Sequence, residues 1–244
     1  MSRIEGQPCW VLHRTPWRES SLLAEVFSAQ MGRLGLVARG ARGARSPWRG
    51  LIEPFVPLEA AWSRRGEMGT LTALEPIGDA IRLTGRALWC GLYANELLLR
   101  LTARDDPAPE LFAAYTELLL SMNTELELAL VLRRFELSVL EALGVVPDMA
   151  TEADGGRAVL ADGLYQVRPE SGPVAASRPG SDVFEGRLLL ALAAGQLNDV
   201  ELARAARPLT RLLLDHQLGG RPLHTRSLFQ RRTVAAGGQR GEIQ

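Results

Sequence analysis

Five arginines, Arg33, Arg39, Arg42, Arg45 and Arg49, follow one another through a stretch with no acidic residue between Glu25 and Glu53. Guanidinium groups are planar, permanently charged and able to grip a phosphate through two parallel hydrogen bonds, so this density of them suits a polyanion. The segment Arg39-Gly-Ala-Arg42-Gly-Ala-Arg45-Ser-Pro-Trp48-Arg49 adds flexible glycines and one indole. Cations that track a backbone beside a ring that stacks on a base are what single-stranded nucleic acid requires; a solvated basic loop accounts for the same composition. At the other end of the chain, eight arginines from Arg204 to Arg240 face only Asp215. Arg204, Arg207 and Arg211 recur at three and four residues and so line one helix face, suited to DNA or to an acidic partner; complementing the helix dipole would explain Arg211 alone. A third feature is the pair Arg133 and Arg134, which interrupts an apolar helical run between Leu132 and Phe135. Cations at the edge of an apolar groove suit a short acidic peptide, and surface pairing of Arg133 with Glu136 is the alternative.

Other chemistry finds little support. All 28 basic residues are arginine, which excludes a phosphate-loop lysine, a Schiff base and a lysine-activated serine. No GxGxxG, GxSxG, HExxH or EF-hand pattern occurs. His13, His216 and His224 lack metal-ligand spacing, and the acid pairs Asp105/Asp106 and Glu125/Glu127 fall where helix dipoles account for them. Cys9 and Cys90 are isolated and make neither a disulfide framework nor a zinc ribbon, so two buried thiols in a reducing compartment are expected. The expectation is a binding protein rather than an enzyme, without cofactor or metal; a hydrolase with an unfamiliar site is the remaining enzymatic alternative.

The elements that must position these residues change period along the chain. With 244 residues, 46% hydrophobic and 23% charged, the composition is that of a globular protein. The zero net charge hides basic outer thirds around an acidic middle. The longest apolar stretch, Leu188 to Leu197, is about half of the ~20 residues a membrane span needs. The N-terminus lacks a signal-peptide core, so a cytoplasmic location without membrane association is expected. Residues 9–14, 22–28, 33–39, 55–63 and 69–75 read as five short strands, an OB-fold or SH3-like barrel spanning 1–80. From Thr84 the period becomes 3.6, giving three helices over 81–147 that are expected to bundle together, the third opened by a capping box at Thr124 and Glu127 and closed by Gly144. Residues 148–180 lose that periodicity and read as a small insertion, with a β-hairpin of 158–160 and 164–167 turning at Asp162 and Gly163. Helices resume over 181–233, one opened by Asp182 and Glu185, one started or kinked by Pro208 and ended at Gly219 and Gly220, and a last turn at 225–231; 234–244 is expected to be a disordered tail.

In this order the features resemble the RecO recombination mediators of bacteria. The matching pieces are Trp10-Val-Leu-His-Arg14 with Trp17-Arg-Glu-Ser20, Val26-Phe27 before Gly32-Arg33, Val37-Ala-Arg-Gly-Ala-Arg42, Pro54-Phe-Val-Pro57, Gly91-Leu-Tyr-Ala-Asn-Glu-Leu97, Leu132-Arg-Arg-Phe-Glu-Leu137, and Leu218-Gly-Gly-Arg-Pro-Leu223 with Arg226-Ser-Leu-Phe229. The resemblance implies an α+β protein: an N-terminal five-stranded OB-fold barrel, then an α-helical domain carrying a small insertion. It further implies binding of single- and double-stranded DNA, annealing of complementary strands, and work with RecR to let RecA replace single-strand-binding protein, whose acidic C-terminal tail is also a ligand. Carried over by position, the DNA role falls on Arg39, Arg42, Arg45 and Arg49, and the tail role on Leu132, Arg133, Arg134 and Leu137. Family members commonly hold zinc with four cysteines in the insertion, whereas 148–180 here contains none, so a degenerate, zinc-free hairpin is expected. The alternative function is an adaptor that recognises an acidic peptide tail without annealing DNA directly.

Overall fold

The computed structural model describes residues 2–122 and 127–227, which form two compact units, one comprising 2–122 with 222–227 and the other 127–221. Thr124, Arg231, Arg232 and the tail from 234 lie outside the described residues; Glu127, the other half of the expected capping box, is itself the N-cap of the helix that starts at Leu128 and makes no side-chain cap.

In the first unit five strands, β1 (Ser2–Trp17), β2 (Ser21–Ser28), β3 (Gly32–Ala38), β4 (Pro57–Arg64) and β5 (Gly69–Pro76), close into a barrel in the order β1-β2-β3-β5-β4. Five strands were expected and five are present, with β1 extending well beyond the expected 9–14 at both ends, and the order is that of an OB-fold. The long first strand makes closure possible: Ser2 to Trp10 pairs with β4 and Cys9 to Trp17 with β2, with a break in register on either side of the shared residues. The seam is short and parallel, Leu36 opposite Gly69 and Val37 opposite Thr70. Gly69 is required there, because a Cβ would lie 2.6 Å from a Leu36 methyl and 2.8 Å from the Trp62 ring. Val11, Val26, Leu34, Leu36, Leu58 and Trp62 fill the interior.

Two helices, α1 (Gly85–Leu101) and α2 (Pro109–Ser121), belong to this same unit. This corrects the expected three-helix bundle. The reason is a buried polar and aromatic seam on the outside of the barrel. Trp10 donates to Thr116 Oγ1 at 2.9 Å, Asn95 Nδ2 donates to the Leu12 carbonyl at 2.9 Å, and the Tyr115 hydroxyl donates to Asn95 Oδ1. Tyr115 stands edge-on to Trp10 and Phe27, with centroids 6.1 and 6.4 Å apart. Burial pushes the Tyr115 hydroxyl far above its ordinary pKa, so it remains a neutral donor. The last described segment, 222–227, returns to α1, where the Glu96 carboxylate accepts from the backbone N–H groups of His224 and Thr225 at 2.9 Å and from the Thr225 hydroxyl at 2.7 Å.

The second unit contains α3 (Leu128–Ala142), β6 (Leu164–Arg168), β7 (Gly172–Ala175), β8 (Val183–Glu185), α4 (Gly186–Ala193) and α5 (Val200–Gln217). Helix α3 packs on α5 and ends, as expected, before Gly144 at φ 67°. The insertion is a three-stranded sheet in the order β7-β6-β8. Its hairpin lies one strand later than expected, between β6 and β7, while 158–160 contributes only a bridge from Ala158 to Thr151. The helix expected to open at Asp182 starts only at Gly186, with Glu185 as its N-cap residue but without a side-chain cap, because Val183, Phe184 and Glu185 pair with Gln166, Tyr165 and Leu164. Pro208 lies inside α5, which begins eight residues earlier where Asp199 Oδ1 accepts from the Leu202 N–H at 2.7 Å.

No cysteine or histidine stands between 148 and 180, so these residues do not fit a zinc site. The module is held by side-chain packing. Met149, Val159, Tyr165, Val167 and Phe184 are each buried, as are Leu188 and Leu189 of α4, and the Leu160 N–H donates to the Tyr165 hydroxyl at 2.9 Å. Gly186 passes so close to the Leu160 carbonyl that a Cβ would meet it at 1.9 Å. Among the described residues, no helix is long and apolar enough to cross a membrane.

Candidate nucleic-acid interface

Between β3 and β4 the chain runs through successive tight turns. Gly43 N–H donates to the Gly40 carbonyl, Ser46 to Gly43, Arg49 to Ser46 and Leu51 to Trp48, at 3.0 to 3.3 Å. Gly40, at φ 67°, turns the strand into this ladder. The turns repeat every three residues and so do Arg39, Arg42 and Arg45; all three, with Arg49, are exposed. The ladder is held from beneath, since Ala41 and Ile52 are buried in the barrel core and Trp48 and Leu51 pack against it. The result is a core-anchored loop that exposes a strip of four arginines.

The arginines differ in what holds them. The Arg42 guanidinium donates to the Arg18 and Glu19 carbonyls at 3.4 and 3.1 Å, and its backbone N–H donates to Ser20 at 2.9 Å, so it ties the loop to the β1–β2 turn. Arg49 donates to the Ala44 carbonyl at 3.3 Å. Arg39 and Arg45 pair with no carboxylate among the described residues.

Packing sets two expected members of the strip apart. Arg33 is directed away from it: its side chain, 14% exposed, pairs with Glu25 at 3.1 Å and donates to the Thr102 carbonyl at 2.9 Å, fixing β3 to the end of α1. Trp48 is partly buried on the barrel core, which leaves less of its ring for stacking on a base. The β1–β2 turn that Arg42 ties to the strip, Trp17 to Ser20, is an addition; its residues read only as part of a matching motif, because the contact spans more than twenty positions.

In the second unit Arg204, Arg207 and Arg211 are exposed on α5. Arg204 reaches Glu127 at 3.2 Å and Arg211 reaches Asp215 at 3.4 Å. Such exposed pairs are worth at most about 1 kcal/mol and yield to a phosphate. Arg207 pairs with no carboxylate among the described residues.

The four residues of the expected tail site do not act alike. Arg133 is 5% exposed and lies inside the α3–α5 packing, where it pairs with Glu136 and donates to Thr210 Oγ1 at 2.8 Å. The Thr210 hydroxyl in turn donates to Glu136 at 2.9 Å. Arg133 is therefore a structural ion pair, the surface-pairing alternative moved into the interior. Arg134 is exposed, oriented by donation from Nε to the Leu197 carbonyl at 3.0 Å, and Leu132 and Leu137 are partly buried.

Both cysteines are buried and unlinked, as expected, and burial pushes the Cys9 thiol up to about 12, far from a reactive thiolate. Among the described residues, no group of three His, Cys, Asp or Glu side chains is placed to hold a metal ion.

The first unit thus defines an OB-barrel protein that presents an arginine strip, and it is followed by a helical unit with a small sheet. Comparison with known families places it further. Residues 1–79 match the model for the N-terminal part of recombination protein O, and residues 82–227 match that for its C-terminal part. The chain is 44% identical over 233 residues to the DNA repair protein RecO of Azoarcus sp. strain BH72, covering 93% of this chain and 96% of that one. It is 45% identical over 236 residues to that of Alkalilimnicola ehrlichii, covering 93% and 92% of the two chains, and 41% identical over 232 residues to that of Vibrio cholerae, covering 93% and 95%. The chain belongs to the RecO family of DNA repair proteins.

Proposed function

We propose that the protein binds single- and double-stranded DNA and anneals complementary strands, and that with RecR it helps RecA replace single-strand-binding protein. The observation that carries this reading is the strip of Arg39, Arg42, Arg45 and Arg49, exposed on a turn ladder anchored on the barrel core. Guanidinium groups that neutralise phosphates on two strands reduce the repulsion between them, and a surface with few base-specific contacts lets the strands slide into register. This step needs no bond chemistry, so the protein works without catalysis, nucleotide or cofactor, in the cytoplasm at the nucleoid.

The exposed Arg134 beside the half-buried Leu132 and Leu137 favours a second role, recognition of the acidic C-terminal tail of single-strand-binding protein, and this supports the adaptor reading if the strip proves inert. Titration of a fluorescent oligothymidine across a salt series separates the two. A steep fall of affinity with salt is expected of the annealing reading, and no binding at low salt by folded protein would leave the adaptor.

A further inference from the structure

The arginine strip needs an aromatic face if it is to hold unpaired bases, and Trp48 is packed on the core. Trp17 stands at the end of β1, with its backbone paired to Ser21 across the turn Arg18 to Ser20. Its ring is partly exposed, and among the described residues it is not one of the side chains packed on the barrel core. Arg18 follows it in the left-handed region at φ 52° and is exposed. The carbonyls of Arg18, Glu19 and Ser20 all accept hydrogen bonds from Arg42, the middle arginine of the three-residue repeat. The turn that follows Trp17 is thereby hydrogen-bonded to the loop that carries Arg39 and Arg45.

We propose that Trp17 is the base-stacking platform of this interface, flanked by Arg18 and the strip, so that the surface takes an unpaired base of single-stranded nucleic acid. This rests on the reading of the strip as a DNA contact. The chemistry fits: an indole offers a broad face to any base, and the neighbouring guanidinium groups hold the phosphates on either side. The β1–β2 turn is also a place where OB barrels commonly meet oligonucleotides. A duplex keeps its bases stacked on one another and gains nothing from the ring.

The test uses the full chain with oligothymidine and a blunt duplex as probes. Trp17→Leu is expected to bind oligothymidine about tenfold more weakly, the order of one lost base stack, with an unchanged salt slope and unchanged duplex affinity. Trp17→Phe retains most of the affinity but loses the quenching of intrinsic fluorescence by oligothymidine, whereas Trp48→Phe retains that quenching. Wild-type binding of oligothymidine by Trp17→Leu, an equal loss on both probes, or quenching that survives Trp17→Phe would overturn the proposal. Failure of the wild-type protein itself to bind oligothymidine would overturn the reading beneath it as well.

Discussion

Replacing Arg133 by methionine tests the reassignment of that residue from a ligand contact to a structural one. Arg133 and Glu136 are 5% and 3% exposed and share the Thr210 hydroxyl between α3 and α5. Methionine fills similar space but leaves the Glu136 carboxylate in the interior without its cation. Removing one partner of a buried ion pair costs about 3 to 5 kcal/mol. At ~1.4 kcal/mol per factor of ten, amide protection in α3 and α5 should fall by about a hundredfold or more. Hydrogen exchange read by mass spectrometry localises the loss, which is needed because all five tryptophans lie in the first unit and fluorescence follows that unit. Replacing Glu136 by leucine in the same chain should return most of the protection, since a buried pair exchanged for apolar groups is close to neutral. Arg134→Ala should change protection by about 1 kcal/mol at most, because it removes a single exposed hydrogen bond. Wild-type protection in Arg133→Met, or loss of acidic-peptide binding without loss of protection, would refute the reasoning.

Other outcomes follow from the same geometry. Replacing Arg39 and Arg45 by alanine should flatten the salt dependence of oligothymidine binding by about 0.7 in log–log slope for each phosphate that is no longer neutralised and leave the melting temperature unchanged. Arg42→Ala should also loosen the β1–β2 turn, visible as faster amide exchange at residues 18–20. Burial of Glu96 acts to raise its pKa, but hydrogen bonds from Thr225 and His224 outweigh it and the net shift is downward. The clamp on 222–227 is therefore fully present above the ordinary carboxylate range and is lost as pH falls through the depressed value. Exchange rates at His224 and Thr225, corrected for intrinsic pH dependence, should rise over that window, and in Glu96→Gln they should be high throughout.

Much of the first unit was legible because alternation at Leu34, Leu36 and Ala38, or at Leu58, Ala60 and Trp62, records directly which face of a strand is buried. Helix ends were legible where chemistry marks them, as at Gly144. Tertiary choices were not. Val183 to Glu185 is too short to show a period and became a strand only because β6 offers it an edge. The attachment of α1 and α2 to the barrel depends on Asn95, Tyr115 and Thr116 meeting β1 residues some eighty to a hundred positions away. Among the site residues, sequence indicated which arginines cluster but not which are already occupied. Arg33 and Arg133 find carboxylates, and Arg42 finds the carbonyls of a distant turn, through contacts that spacing does not encode.

In the proposed function an exposed arginine strip on an OB barrel brings complementary strands together without consuming nucleotide. Fluorescence-monitored annealing of two complementary oligonucleotides, bare and coated with single-strand-binding protein, across a salt series and without ATP, tests it most directly. Acceleration is expected on bare strands, weakening with salt, reduced by Arg39→Ala with Arg45→Ala, and persisting on coated strands. Folded protein that gives no acceleration on bare strands at low salt would contradict it.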